Sequence, residues 1–179
     1  MGCPRHHFLV MHYPLFLDLA DQPVLAIGAG KVATRKIHTL LAAGARVAVI
    51  SPKASAAIRQ LARTKRVRWI RRNYRRGDLR GARLVIAATD NPAVNERVCA
   101  EAKRRKLLVN CVAPPSAGNF IVPAQVQRGG ITLAVSTGGA SPAFAKRLRR
   151  DLERFLSDGY PALLKKMARK RRASSNTPK

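Results

Sequence analysis

The chain has 179 residues, enough for one full α/β domain and a small appendage but too few for two large independent domains. Hydrophobic residues make up 46% of it, sufficient for a buried core, while 35 Lys and Arg against 9 Asp and Glu leave a formal charge of +26 that favours anionic partners. No run reaches the roughly 20 apolar residues of a spanning helix, so no membrane insertion is expected.

After a short apolar opening, Pro23 to Ile27 forms a compact hydrophobic run ending in glycine. A helical pattern follows from about Lys31 to Ala43 and stops at Gly44. Arg46 to Ile50 is a second strand, closed by Ser51-Pro52, and Ser55 to Arg63 is helix-like, which completes a βαβ unit. Val67 to Ile70, Leu84 to Ala88 and Leu107 to Val112 are further short strands, with a helix from Asn91 to Arg105 before the last. Such alternation predicts a parallel, doubly wound sheet covered on both faces. Beyond Pro114-Pro115 the pattern changes. FIVPAQVQ and ITLAVST are β-rich runs joined by a turn at Arg128-Gly129-Gly130. Ser141, as N-cap, and Pro142, at the first helical position, open a helix through Phe155. A shorter helix from Tyr160 to Lys170 leads into a basic tail with the composition of a disordered segment.

Gly28-Ala29-Gly30-Lys31-Val32-Ala33 fits G-x-G-x-x-G/A at the end of a strand and the start of a helix, the context in which that pattern binds a dinucleotide. The first glycine permits the tight turn, the second lets a pyrophosphate approach the backbone, and Ala33 allows close helix packing. The helix start adds amide donors and a positive dipole. At the end of the second strand Ser51 stands where many NAD sites carry Asp or Glu. Ser51 can still donate a hydrogen bond and Lys53 removes the usual repulsion against a 2′-phosphate, so these residues leave NAD and NADP both open. Ala88, Thr89 and Asp90 end the fourth strand at the edge where open α/β sheets bind ligands. The Ala88–Thr89 backbone is expected to line the cofactor, and the Asp90 side chain to cap the following helix.

Cys3, Cys99 and Cys111 are odd in number and lack C-x-x-C spacing, which argues against a disulfide framework or structural zinc and for a reducing cytoplasm. Pro4, Pro14 and Asp18 interrupt the opening segment and no small-residue cleavage site follows, so no signal peptide is expected. His6, His7, His12 and His38 have no metal-binding spacing. Basic residues concentrate between Arg63 and Arg80 and between Lys146 and Arg172, without a nucleic-acid-binding motif or aromatic ladder.

In an ordered series of motifs the chain resembles the precorrin-2 dehydrogenases, a family that includes the amino-terminal part of siroheme synthase. These are YPLFLDL (Tyr13 to Leu19), VLAIGAGKVATRK (Val24 to Lys36), LLAAGARVAVISP (Leu40 to Pro52), IAATDNPAVNERV (Ile86 to Val98), VNCVAPPSAGNFIVPA (Val109 to Ala124) and LAVSTGGASPAFAKRLR (Leu133 to Arg149). The resemblance implies NAD-dependent oxidation of the polycarboxylate tetrapyrrole precorrin-2 to sirohydrochlorin, by a homodimer, in siroheme biosynthesis. NADP stays open as the alternative cofactor, and no membrane or specific nucleic-acid partner is implied. It also implies an NAD(P)-binding Rossmann domain over residues 1–113, a β-rich dimerisation segment over 114–150, and a short helical region with a basic tail over 151–179. Gly28, Ala29, Gly30, Lys31, Val32, Ser51, Pro52, Lys53, Ala88, Thr89 and Asp90 fall on cofactor positions, and Asn110, Asn119, Ser136, Thr137 and Lys146 near the tetrapyrrole. Where the family reads N-x-x-D, this chain has Asn110-Cys111-Val112-Ala113. Alanine neither exchanges a proton nor ligates iron, so no catalytic residue or metal ligand is assigned, and iron insertion is in doubt. Two other functions stay open: a tetrapyrrole-binding protein impaired at Ala113, and a nonspecific nucleic-acid binder using the basic clusters.

Overall fold

A computed structural model describes residues 12–157 and 159–175. Cys3, His6, His7 and most of the opening segment, read above as lacking a signal peptide, lie outside the described residues, as do the last four residues of the basic tail.

The chain packs as two units, one running from Phe16 to Val122 and the other comprising Pro123 onward together with residues 12–15. In the first, β1 (Pro23–Ile27), β2 (Arg46–Ile50), β3 (Val67–Ile70), β4 (Leu84–Ala87) and β5 (Leu108–Cys111) form one parallel sheet in the order β3-β2-β1-β4-β5. The helices are α1 (Lys31–Ala42), α2 (Ala56–Arg63) and α3 (Pro92–Arg104). Side chains alternate across the sheet. Val24, Ala26, Val47, Val49 and Ile86 pack with Ala33 and Ile37 of α1 and Ile58 of α2. Leu25, Ile27, Ile50, Val85 and Val109 pack with Val98, Cys99 and Ala102 of α3. Burial on both faces explains why the central strands β1 and β4 read as continuous apolar runs, and the doubly wound architecture is the one expected from sequence.

Helix starts follow local chemistry. Ser55 caps α2 by accepting from the Ile58 amide at 3.3 Å. The cap of α3 is Asn91, not Asp90 as expected, its Oδ1 accepting from Ala93 and Val94 at 3.0 and 3.3 Å. With Pro92 at the first helical position, the cap must be the residue immediately before it, which is Asn91.

The first unit extends past Ala113 because the chain after β5 turns back along that edge strand. Asn119 accepts from the Val109 amide at 2.7 Å and donates to the Leu107 carbonyl at 2.9 Å. Asn110 Nδ2 donates to the Phe120 carbonyl at 3.0 Å. This segment covers polar groups that an edge strand would otherwise expose.

In the second unit β6 (Ala124–Arg128) and β7 (Ile131–Val135) pair antiparallel through Gly129-Gly130, both at positive φ. A Cβ on Gly129 would lie 2.4 Å from Pro161 Cβ. The first hairpin strand starts at Ala124 and not at Phe120, since Phe120 is held against β5 and Pro123 has no amide to donate. Helix α4 (Pro142–Phe155) has the expected bounds and Ser141 cap, accepting from Phe144 N at 3.1 Å. Helix α5 runs Gly159–Ser175, longer than the expected Tyr160 to Lys170, because the Lys/Arg/Ala run beyond Lys170 contains no breaker.

The long connection between β3 and β4 is anchored by two acids. Asp78 forms a bidentate pair with Arg72, both contacts 2.8 Å, and accepts from the Arg75 amide at 2.7 Å. Glu101 of α3 is buried and accepts from Tyr74 Oη at 2.5 Å, Gly77 N at 3.1 Å and Arg105 Nε at 2.9 Å. The hydrogen bond from Arg72 lowers the Asp78 carboxyl below its usual range. For Glu101 burial acts upward, but the bonds from Tyr74, Arg105 and Gly77 outweigh it and the net direction is down. Depressed native pKa values add stability that is present above the unfolded carboxylate range and lost as pH falls through the native values. Melting temperature should therefore drop as pH is lowered below about 4. Glu101→Gln should cost about 1–3 kcal/mol in urea unfolding at pH 7, because the charge-assisted bond to Arg105 is lost.

Candidate functional site

In the sheet order the connections reverse direction between β1 and β4, and the loops leaving these two strands form the crevice where such sheets take ligands. The β1 turn is held from both sides: Gly28 N donates to Ile50 O at 2.9 Å, and Ala88 N donates to Ile27 O at 2.8 Å. Gly28 sits at φ +104°, and a Cβ there would lie 2.3 Å from the Ala88 carbonyl oxygen. Only glycine combines that φ with that approach. At Gly30 a Cβ would meet nothing within 4 Å, so the space over the helix start is open. Gly30 offers no side-chain cap to α1, which leaves the first-turn amides available to an anion. The turn is braced beneath by Ser55 N donating to Ala29 O at 3.0 Å and by the Thr34 hydroxyl, 2.9 Å from both Gly30 O and Ser55 Oγ.

The other cofactor-side residues line the same edge of the sheet. Ser51 Oγ donates to Lys53 O at 2.6 Å and Ser51 O accepts from Trp69 Nε1 at 2.9 Å. The Ser51 hydroxyl thus has its proton directed to the Lys53 carbonyl. Lys31, Val32, Pro52, Lys53 and Asp90 are exposed, Ala29 and Ala88 are buried, and Thr89 is half-buried.

Sequence reasoning missed the residue that organises this edge, Asn95. It is fully buried on α3, its Oδ1 accepting from Thr89 N at 3.0 Å and Thr89 Oγ1 at 2.8 Å, its Nδ2 donating to Thr89 O at 3.1 Å and Ala113 O at 3.0 Å. One amide thus ties the loop after β4 to the loop after β5. The available signal was a polar residue on the otherwise apolar face of α3, four positions after the cap.

Asn110, at the end of β5, is 6% exposed, and its Oδ1 is buried without a hydrogen-bond partner. Asn119 bonds the backbone of Val109 in β5 and of Leu107 just before it through the two ends of its amide. Ser136, Thr137 and Lys146 belong to the second unit. Ser136 Oγ accepts from Gly138 N at 3.2 Å and Thr137 Oγ1 accepts from Ser141 N at 3.3 Å, which shapes the turn before α4, while Lys146 is exposed on that helix. Cys99 and Cys111 are buried neighbours; burial, reinforced by Cys111, pushes the Cys99 thiol up to about 12, so it stays protonated and unreactive at neutral pH. Among the described residues no three His, Cys, Asp or Glu converge as a metal site.

A parallel sheet with a glycine turn at its switch point and an uncapped helix start defines a dinucleotide-binding α/β protein. Comparison with known proteins agrees: the family described as "Putative NAD(P)-binding" matches residues 15–124, and the one described as "Sirohaem biosynthesis protein central" matches residues 128–154. The chain is 35% identical over 159 residues to the precorrin-2 dehydrogenase of Bacillus subtilis (strain 168), covering 89% of this chain and 98% of that one. It is 43% identical over 152 residues to the siroheme synthase of Methylococcus capsulatus, spanning 85% of this chain but only 32% of that longer protein. A solved structure, SirC, precorrin-2 dehydrogenase, superposes with a TM-score of 0.76 at 36% identity, covering 86% of this chain and 76% of that one. The chain belongs to the precorrin-2 dehydrogenase family.

The residues fit a nicotinamide dinucleotide, given the open space at Gly30 and the uncapped α1 amides. Gly28 and Gly30 should respond differently to substitution. Gly28→Ala should destabilise the fold by about 2 kcal/mol or more, because its Cβ overlaps a backbone carbonyl. Gly30→Asp should leave the melting temperature nearly unchanged, since aspartate is a good N-cap, yet weaken dinucleotide binding on the order of a hundredfold through like-charge contact with the pyrophosphate. Calorimetric titration with NAD, alongside thermal melts, checks both.

Proposed function

We propose that the protein is the NAD-dependent precorrin-2 dehydrogenase of siroheme biosynthesis, acting in the cytoplasm. The observation that carries this is the assembled switch-point crevice in a chain that aligns with nearly the full length of a precorrin-2 dehydrogenase.

When bound, the nicotinamide supplies an acceptor for a hydride taken from the substrate. The α1 amides at Lys31 and Val32, opened to solvent by Gly30, would hold the pyrophosphate, with Gly28 and Ala29 shaping the turn. Ser51, Pro52 and Lys53 would border the adenosine ribose, and the proton given to Lys53 O leaves Ser51 Oγ free to accept from a ribose hydroxyl of NAD. Ala88, Thr89 and Asp90 would border the nicotinamide half, held in register by Asn95. On the substrate side, Ser136, Thr137 and Lys146 of the second unit would meet carboxylates of the tetrapyrrole, the role that the family resemblance implies for them. Asn119 would act indirectly, by fixing the segment beside β5.

The main chain at Ala113 is held through its carbonyl, which accepts from Asn95 Nδ2. Dehydrogenation then rests on orientation of substrate and cofactor and not on an acid/base group at 113. Alanine supplies no iron ligand, and the proposed activity stops at sirohydrochlorin. Anaerobic incubation with precorrin-2 and NAD should yield sirohydrochlorin, followed by absorbance, with NADP the poorer acceptor. Ala113→Asp should change turnover less than about tenfold; a gain of about a hundredfold or more, the range of general acid–base catalysis, would mark a site that has lost its proton-transfer group and favour the tetrapyrrole-binding function.

The active form is a homodimer built through the second unit. Its two-stranded sheet is too small to be stable alone. Helix α4 buries none of its residues within the chain although Phe144 and Phe155 lie on it, 56% and 60% exposed. Sedimentation velocity should show a dimer at micromolar concentration, and Phe144→Asp should shift it toward monomer.

A further inference from the structure

One member of the basic cluster between Arg63 and Arg80, Arg76, enters a concavity other than the crevice at the carboxyl edge of the sheet. Glu101 draws the β3–β4 connection onto α3 through Tyr74 and Gly77, and beside this contact lies a cleft of about 580 Å³ lined by Tyr74, Arg76, Arg97, Ala100, Glu101 and Arg104. This volume is within the range of small-molecule sites. Positions 97, 100, 101 and 104 follow the i, i+3, i+4, i+7 spacing of one helix face, so the two α3 arginines stand about two turns apart on the same wall, with Arg76 supplied by the loop.

The charge of the cleft is uncompensated. Its one acid, Glu101, already accepts from Tyr74, Gly77 and Arg105. The Tyr74 phenol is pushed up by burial and by its bond to Glu101, and so stays neutral. Arg76, Arg97 and Arg104 are exposed and none is hydrogen-bonded or ion-paired to an acceptor of the described residues. Three guanidinium groups around one hollow repel one another until an anion bridges them, and their planar forks suit phosphate oxygens. The first of them, Arg97, lies five residues into α3, about 7 Å along the helix from the edge that carries Thr89, and Arg104 lies about 18 Å along it.

We propose that this cleft is a second ligand site, separate from the dinucleotide crevice, that takes a small multivalent phosphate anion. The probe is inorganic tripolyphosphate, titrated calorimetrically into the full chain at 150 mM salt. The unaltered protein should bind it at one dominant site. Arg76→Gln/Arg97→Gln/Arg104→Gln should weaken binding at least about tenfold, the loss of one or two charge-assisted bonds. Arg63→Gln/Arg66→Gln/Arg68→Gln, which removes the same charge from exposed residues outside the cleft, should retain affinity within about twofold, and so should Gly30→Asp. All these positions are exposed, so melting temperatures should stay close to that of the parent, and Arg97→Gln alone should already weaken binding measurably. Absence of binding by the unaltered protein overturns the proposal. Equal losses in the two triple variants do so as well, by showing diffuse attraction, and loss in Gly30→Asp does so by placing the anion at the glycine turn. Citrate binding as tightly as tripolyphosphate overturns the assignment to phosphate.

Discussion

The approach of Gly28 to the Ala88 carbonyl is the constraint on which the site depends. The loops leaving β1 and β4 approach here so closely that a Cβ would lie 2.3 Å from a carbonyl oxygen, which leaves no alternative to glycine. The hydrogen bonds from Gly28 to Ile50 and from Ala88 to Ile27 then continue the sheet ladder one residue beyond the strands on both sides of β1. The turn is consequently held by the sheet itself, and the open space at Gly30 lies above a braced floor.

Asn95 extends the same rigidity to the next loop. A neutral amide buried where it can make four hydrogen bonds is stabilising only while all four persist, so its presence fixes Thr89 and Ala113 together. This separates two functions that one position might otherwise combine. The loop after β5 is tied through the Ala113 carbonyl, a contact that the side chain at 113 does not make. An alanine there changes the chemistry on offer and keeps that tie.

What was legible in the sequence was local or periodic. Pro23–Ile27 and Arg46–Ile50 were readable to the residue because a central parallel strand is a short apolar run bounded by glycine, serine or charge, and Val67–Ile70 because its apolar residues flank one exposed arginine on an edge strand. The glycine turn was readable because its spacing serves a backbone conformation. The resemblance of ordered motifs identified the family but could not say what each side chain touches. Asp90 was expected at a cap that Asn91 fills, since adjacent residues of similar chemistry are told apart only by helix phase. The hairpin was expected from Phe120, but Asn110 and Asn119 hold that stretch against β5 through pairings about ten residues apart in sequence. Asn95 and the α3 cleft were invisible for the same reason, since both exist only after distant loops fold back onto one helix.

The excess of basic residues takes on a more specific meaning in this light. Among the described residues Asp78 and Glu101 are committed to holding the β3–β4 connection, and Asp151 and Glu153 pair with arginines of their own helix. Acids used as internal anchors cannot neutralise the outer surface, so the surplus is left to solvent ions over convex regions, where screening makes each charge nearly interchangeable with the next. A concave wall differs, because several guanidinium groups converge on one volume that excludes part of the water and their effects no longer average out. Net charge thus determines only that anions accumulate near the chain; the fold determines where that attraction becomes a site.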